Sequence, residues 1–179
     1  ETAVRVAAGA LAKQLLAPFG IEVFGFVAEV GPEKIEPVAG TLAEWRAIRD
    51  ASSIYGLNPA RDKPIEELID KVGKEGDTLG GVVEVQVHGL PFGLGTHAQW
   101  DRKLDGRLAQ AVMAVQAIKG VEIGLGFEAA RRRGSEVHDP IHYDEAKIHT
   151  PTLGYERPTN NAGGLEAGVG ERLHVGAQR

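Results

Sequence analysis

The chain has 179 residues, 42% of them hydrophobic and 25% charged, a balance that excludes disordered and fibrous classes and suits a single domain with a sizeable core. Its formal net charge of −5 argues against a general nucleic-acid or anionic-membrane binder, which needs excess Lys and Arg to displace counterions. The absence of cysteine removes disulfides, thiolate nucleophiles and Cys-ligated zinc from consideration.

No apolar run approaches the ~20 residues of a membrane-spanning helix. Glu1 leads directly into helical periodicity without a secretory pattern, so a cytoplasmic protein is expected. A chain opening Glu-Thr-Ala without methionine is expected to be a piece of something longer.

Val4, Ala8, Leu11 and Leu15 recur at helical spacing before Pro18 and Gly20, which predicts an amphipathic helix over residues 2–17. Ile21 to Val30 reads as a strand apolar on both faces and stopped by Gly31-Pro32, so both faces are expected to be covered. Thr41 and Glu44 form a capping-box pattern ahead of Trp45 and Ile48, opening a short helix that ends before Gly56. Asp62 and Pro64 open another, with Ile65, Leu68, Ile69 and Val72 as its apolar stripe and Gly73 as its stop.

"GGVVEVQVHG" alternates cleanly, which predicts a strand with Val83, Val85 and Val87 inward and Glu84, Gln86 and His88 toward solvent. After the glycine-rich "GLPFGLGTHAQWD", the residues Leu104, Leu108, Val112 and Val115 predict a helix that halts at Lys119-Gly120. "VEIGLGF" reads as a strand through Val121, Ile123, Leu125 and Phe127. Residues 128–163 lose clear periodicity, and so long an irregular stretch is expected to be functional or disordered.

Three patterns invite a chemical reading. "GLGFEA", Gly124 to Ala129, matches the dinucleotide fingerprint G-x-G-x-x-A, with Asp144 near the distance of a ribose-binding acid. The fingerprint needs a full helix aimed at the pyrophosphate, and "EAARRRGSEVHDP" leaves room for barely two turns, so a glycine-flanked edge strand is the alternative. His138, His142 and His149 could form a metal cluster, although Pro140 disfavours one helical face for the first two. Arg131, Arg132 and Arg133 could clamp a phosphate or form a solvated loop. No Ser-His-Asp order, P-loop or paired-carboxylate signature stands out. From composition and periodicity the chain is an α+β domain.

Four blocks add more: "ETAVRVAAGALAKQLLAPFGIEV", "GDTLGGVVEVQVHGLPFGLG", "WDRKLDGRLAQAVMAVQAIKGVEIGLGFEAARRRGSEVHD" and "RPTNNAGGLEAG". In order and spacing, from Glu1 to about Gly168, they resemble chorismate synthase. The resemblance implies an α+β fold with helices packed against antiparallel sheet in a β-α-β sandwich, residues 1–179 being the central part of a subunit. It implies a lyase of the shikimate pathway that eliminates phosphate 1,4 from 5-enolpyruvylshikimate 3-phosphate to give chorismate. Reduced FMN is the implied cofactor, NADPH a candidate reductant, and a homotetramer the implied assembly. No metal, nucleic acid or membrane is implied.

Carried over by position, the flavin contact before "KGVEIG" falls on Gln116 and Ala117, and a second falls on Ala167, where the family pattern has glycine. The family's two proton-managing histidines have no counterpart in this chain, so the piece alone is expected to be inactive. Asn160 and Asn161 are expected in turn or left-handed conformations, with Gly163 and Gly164 letting backbone N–H groups approach a planar or anionic ligand. "KIHTPTLGY" is longer than the family's link, and "VGERLHVGAQR" is shortened. A nicotinamide-dependent oxidoreductase built on "GLGFEA", or a silent interaction module on the same scaffold, are the competing readings.

Overall fold

The computed structural model describes residues 1–91, 93–165 and 173–178, and the chain divides into two compact units. One comprises Glu1–Phe24 with Val85–Gly176, the other Gly25–Glu84 with Ala177–Arg179. Helices and strands alternate irregularly, and the class is α+β as expected.

In the second unit, strand β1 (Glu22–Val30), which begins in the first unit, turns back at Gly31-Pro32 into the short β2 (Glu33–Lys34), with Glu29 paired to Lys34 and Val30 to Glu33 in antiparallel register. The sequence stop at Gly31-Pro32 is therefore a hairpin turn. Helix α2 (Leu42–Ala51) starts as predicted: the Glu44 N–H donates to Thr41 Oγ1, and the Thr41 N–H donates to Glu44 Oε2 at 2.7 Å.

Helix α3 (Pro59–Lys74) begins earlier than Asp62. Asn58 caps it by accepting the Ala60 N–H, and Pro59 takes the first helical position, where no N–H is needed. Pro64 consequently lies inside the helix, and Gly73 belongs to its last turn instead of ending it. Of the expected stripe, Ile65 is fully buried while Ile69 remains 42% exposed.

The core of this unit is Phe26, Ile35, Leu57 and Ile65. It closes around Ser52, a buried hydroxyl that accepts the Gly56 N–H at 3.0 Å and donates to Asp62 Oδ1 at 2.9 Å. A buried hydroxyl left without such partners would be costly.

The first unit opens with α1 (Thr2–Leu16), which starts as predicted and ends one residue early where Ala17 enters a 3₁₀ turn, and which has no buried residue; Val4, Leu11 and Leu15 are each about 70% exposed. The helix gains little from burial. Its alanine-rich composition and the Glu1–Arg5 ion pair at i,i+4 support it instead.

No residue of β1 is exposed on either face, and Phe24 and Phe26 are its most enclosed side chains, in keeping with the expectation of two covered faces. Strand β3 (Gly81–His88) reverses its predicted faces: Val83 is 41% exposed, whereas Gln86 is buried and its Oε1 lies 3.1 Å from Nε2 of a half-buried His88. Pairing between the amide and the imidazole lets polar groups occupy the covered side.

Helix α4 (Leu104–Met113) ends before Val115, and β4 (Gly120–Ile123) ends before Leu125 and Phe127. Residues 128–163 are neither structureless nor one long loop. They contain a 3₁₀ segment completed at Arg131, the one-turn α5 (Gly134–Val137), and an antiparallel pair of β5 (His142–Tyr143) with β6 (Tyr155–Glu156). With β7 (Leu173–Gln178), the main sheet has the order β2-β1-β3-β7-β4. Gly81 lies against Glu29 and Gly89 against Gly20, so β1 and β3 run antiparallel. Among the described residues no helix is long and apolar enough to cross a membrane.

Truncating Ile65 to Ala should destabilise the protein by about 2–5 kcal/mol, the cost of a cavity in a small core. A denaturant midpoint unchanged from that of the parent protein would contradict the assignment of this core.

Candidate functional site

Gln116 and Ala117 lie in the turn between α4 and β4 and not at the end of the helix itself, because α4 closes at Met113 through the Ala114 N–H to Gln110 O bond. Both residues are exposed. Ala117 has φ 69°, a left-handed conformation that costs a residue with a Cβ on the order of 1 kcal/mol and that often marks functional positions. A small side chain is thus favoured at 117 by the backbone itself.

Gln116 is oriented by a charged neighbour: its Nε2 donates to Glu1 Oε2 at 3.0 Å, while Arg5 Nη2 donates to Glu1 Oε1 at 2.6 Å. The Arg5 hydrogen bond, then the Gln116 one, holds the Glu1 carboxyl below its ordinary value of 4.5. A depressed carboxylate contributes above its ordinary value, and the contribution is lost as pH falls through the lowered one.

The Asn160–Gly164 bend is built by backbone approach. Gly124 has φ 61°, and a Cβ placed on it would lie 2.2 Å from Asn161 O and 2.5 Å from Gly163 N. Gly163 has φ 71°, and a Cβ there would meet Gly124 N at 2.7 Å. The Leu125 N–H donates to Asn161 O at 2.7 Å. On the other side Asp139 accepts two successive amides, from Asn161 through Oδ1 at 2.8 Å and from Ala162 through Oδ2 at 2.9 Å.

One expectation changes as a result. The left-handed residues of the bend are Gly163 and Gly164 rather than the asparagines. Both glycines are buried, and Gly163, whose N–H donates to Asn160 O at 3.2 Å, packs its backbone against that of Gly124. Ala167 lies outside the described residues.

The other patterns resolve into local structure. "GLGFEA" is followed not by a full helix but by a 3₁₀ segment, Gly126–Arg131, and its first glycine is occupied by the Asn161–Gly163 backbone. Asp144 accepts the Ala146 N–H at 3.0 Å, capping one turn of chain, and pairs with Lys147 at 3.7 Å. Arg131 and Arg132 both bond Glu128, at 3.3 and 3.2 Å. Among the described residues no group of three or more His, Asp or Glu side chains could hold a metal ion.

Sequence reading passed over two features. Asp139 registered only as the residue before Pro140, and nothing local signals a partner 22 positions away. The glycine-rich connection before α4 contributes Thr96 and His97 to a depression of about 170 Å³ that Lys103, Leu104, Asp105 and Leu165 also line. Burial raises the Asp105 carboxyl, but hydrogen bonds from Lys103 and the Gly106 N–H bring it below its ordinary value.

Substituting Gly124 by valine should cost at least about 1–3 kcal/mol through overpacking and speed amide exchange at Asn161, Ala162 and Gly163; native exchange at all three would contradict the packing described. In a pH titration followed by NMR, the Gln116 side-chain amide should hold its shift above the ordinary carboxylate range and move below it. An equal movement in Glu1→Gln would reject the bridge.

Residues 1–178 match the family model described as chorismate synthase. The chain is 55% identical over 170 residues to the chorismate synthase of Geobacter sulfurreducens, covering 94% of this chain and 43% of that protein. It is 55% identical over 180 residues to the enzyme of that name from Trichlorobacter lovleyi, covering 99% and 46%. A solved structure titled "Crystal Structure of Chorismate Synthase" superposes with a TM-score of 0.90 at 44% identity, covering 99% of this chain and 55% of that one. The chain thus spans under half the length of these curated relatives and shares their fold, and it belongs to the chorismate synthase family.

Proposed function

We propose that the protein of which this chain is part is a chorismate synthase, a lyase that removes phosphate and a ring proton from 5-enolpyruvylshikimate 3-phosphate. The observation that carries the reading is the family match across residues 1–178. Residues 1–179 form the central part of one subunit. The whole protein works in the cytoplasm as a homotetramer, with NADPH as candidate reductant.

Reduced FMN, when bound, supplies an electron-rich flavin that assists departure of the phosphate. The residues present fit such a group. At Ala117 an exposed left-handed turn carries only a methyl group, so a flat ligand can reach main-chain atoms there. The Asn160–Gly164 bend is held rigid from two sides, which suits a preorganised border.

The four residues of β4 separate the Ala117 turn from Gly124, which amounts to ~13 Å of strand at ~3.3 Å per residue. The two sites therefore suit different parts of an extended ligand, a ring and its phosphate-bearing tail, better than one face of a ring. Ala167, just beyond the bend, is the third proposed contact. Gln116, fixed by Glu1, orients that ligand at the α4–β4 turn. Proton transfer falls to residues beyond this chain, so the 179-residue piece should be inactive alone.

The nicotinamide alternative loses its support at "GLGFEA", because no full helix follows the glycines. The full-length protein, reduced and supplied with FMN, should release phosphate from the enolpyruvyl substrate; no release would leave only a silent scaffold. Ala117→Val, a β-branched residue forced into the left-handed region, should weaken FMN binding roughly tenfold. Equal affinity would remove Ala117 from the site.

A further inference from the structure

Asp139 is half-buried directly after the α5 turn, and Pro140 restricts it to extended backbone. One carboxylate oxygen accepts the Asn161 amide at 2.8 Å and the other accepts the Ala162 amide at 2.9 Å. The same stretch supplies a second tie, since Asn161 Nδ2 donates to Glu136 O at 3.3 Å. On the opposite side the bend meets Gly124 and Leu125.

Glycine permits close approach there, but it cannot enforce it. A charged acceptor gives stronger hydrogen bonds than a neutral one, and one carboxylate that takes two successive N–H groups fixes the orientation of the peptide plane between them. Without it, those amides would turn toward water and the bend could leave Gly124.

We propose that Asp139 is a positioning residue for the flavin site: it holds Asn161–Gly163 in the conformation that borders the cofactor and so sets FMN affinity without touching FMN. This rests on the reading of the bend as part of the flavin site. Arg131, Arg132 and Glu128, which precede it along the same stretch, pair among themselves and provide a neighbouring ion-pair cluster for comparison.

The test uses the full-length protein and titrates FMN into the parent, Asp139→Asn, Asp139→Glu and Glu128→Gln, with thermal midpoint and amide exchange measured alongside. The asparagine keeps the shape but replaces one charged acceptor by a donor. FMN affinity should fall roughly tenfold or more, with faster exchange at Asn161 and Ala162 and little change in thermal midpoint. Saturating FMN should then restore turnover.

Asp139→Glu, which keeps both acceptors one methylene displaced, should recover part of the affinity, and Glu128→Gln should match the parent. If the parent binds FMN and Asp139→Asn binds it equally well, the positioning role is overturned while the proposed function stands. If the parent itself binds no FMN, the underlying reading fails first and the inference with it. Should Asp139→Asn not fold, Asp139→Glu decides: parent affinity alongside accelerated exchange in the bend overturns the proposal, and intermediate affinity supports it.

Discussion

The backbone of Asn161–Gly163 approaches Gly124 so closely that neither Gly124 nor Gly163 could carry a side chain, and the rest of the candidate site depends on that approach. It joins the end of β4 to a segment some 37 positions further along. The approach requires left-handed backbone at both glycines and an acceptor for the amides that turn away from the contact. Asp139 is that acceptor. The arrangement is one of satisfied polar groups at close quarters, worth more in rigidity than in buried apolar area.

The same economy runs through the chain. Fully buried apolar side chains among the described residues are few, with Leu57 and Ile65 the most enclosed. Local devices stand beside them: the Thr41–Glu44 capping box, the Ser52 hydroxyl that gathers the Gly56 amide and Asp62, and the Glu1–Arg5–Gln116 chain. At Gln116 that chain couples the start of α1 to the turn after α4, next to the strained Ala117. Position 117 is small for a reason internal to the protein, since a branched side chain would sit poorly at positive φ.

Periodicity made α1, β1 and α2 legible, because helical spacing, a β-branched run and a capping box are each local signals. It misplaced the start of α3, where Asn58-Pro59 is a better opening than Asp62-Pro64, since proline at the first helical position lacks only an N–H that needs no partner. It inverted the faces of β3 because the pairing of Gln86 with His88 is invisible to a rule that sends polar residues outward. For the site, the resemblance pointed to Gln116 and Ala117, and nothing local foretold the left-handed turn there. The bend was legible as glycine-rich, but its partners Gly124 and Asp139 were not, because tertiary contacts leave no trace in spacing.

The central claim, that the Ala117 turn and the Asn160–Gly164 bend border one flavin, is tested most directly by hydrogen exchange on the full-length protein with and without FMN. The account predicts that bound flavin slows exchange in peptides covering both segments, together and with one affinity. Protection elsewhere, with both segments exchanging as in the flavin-free protein, would contradict it.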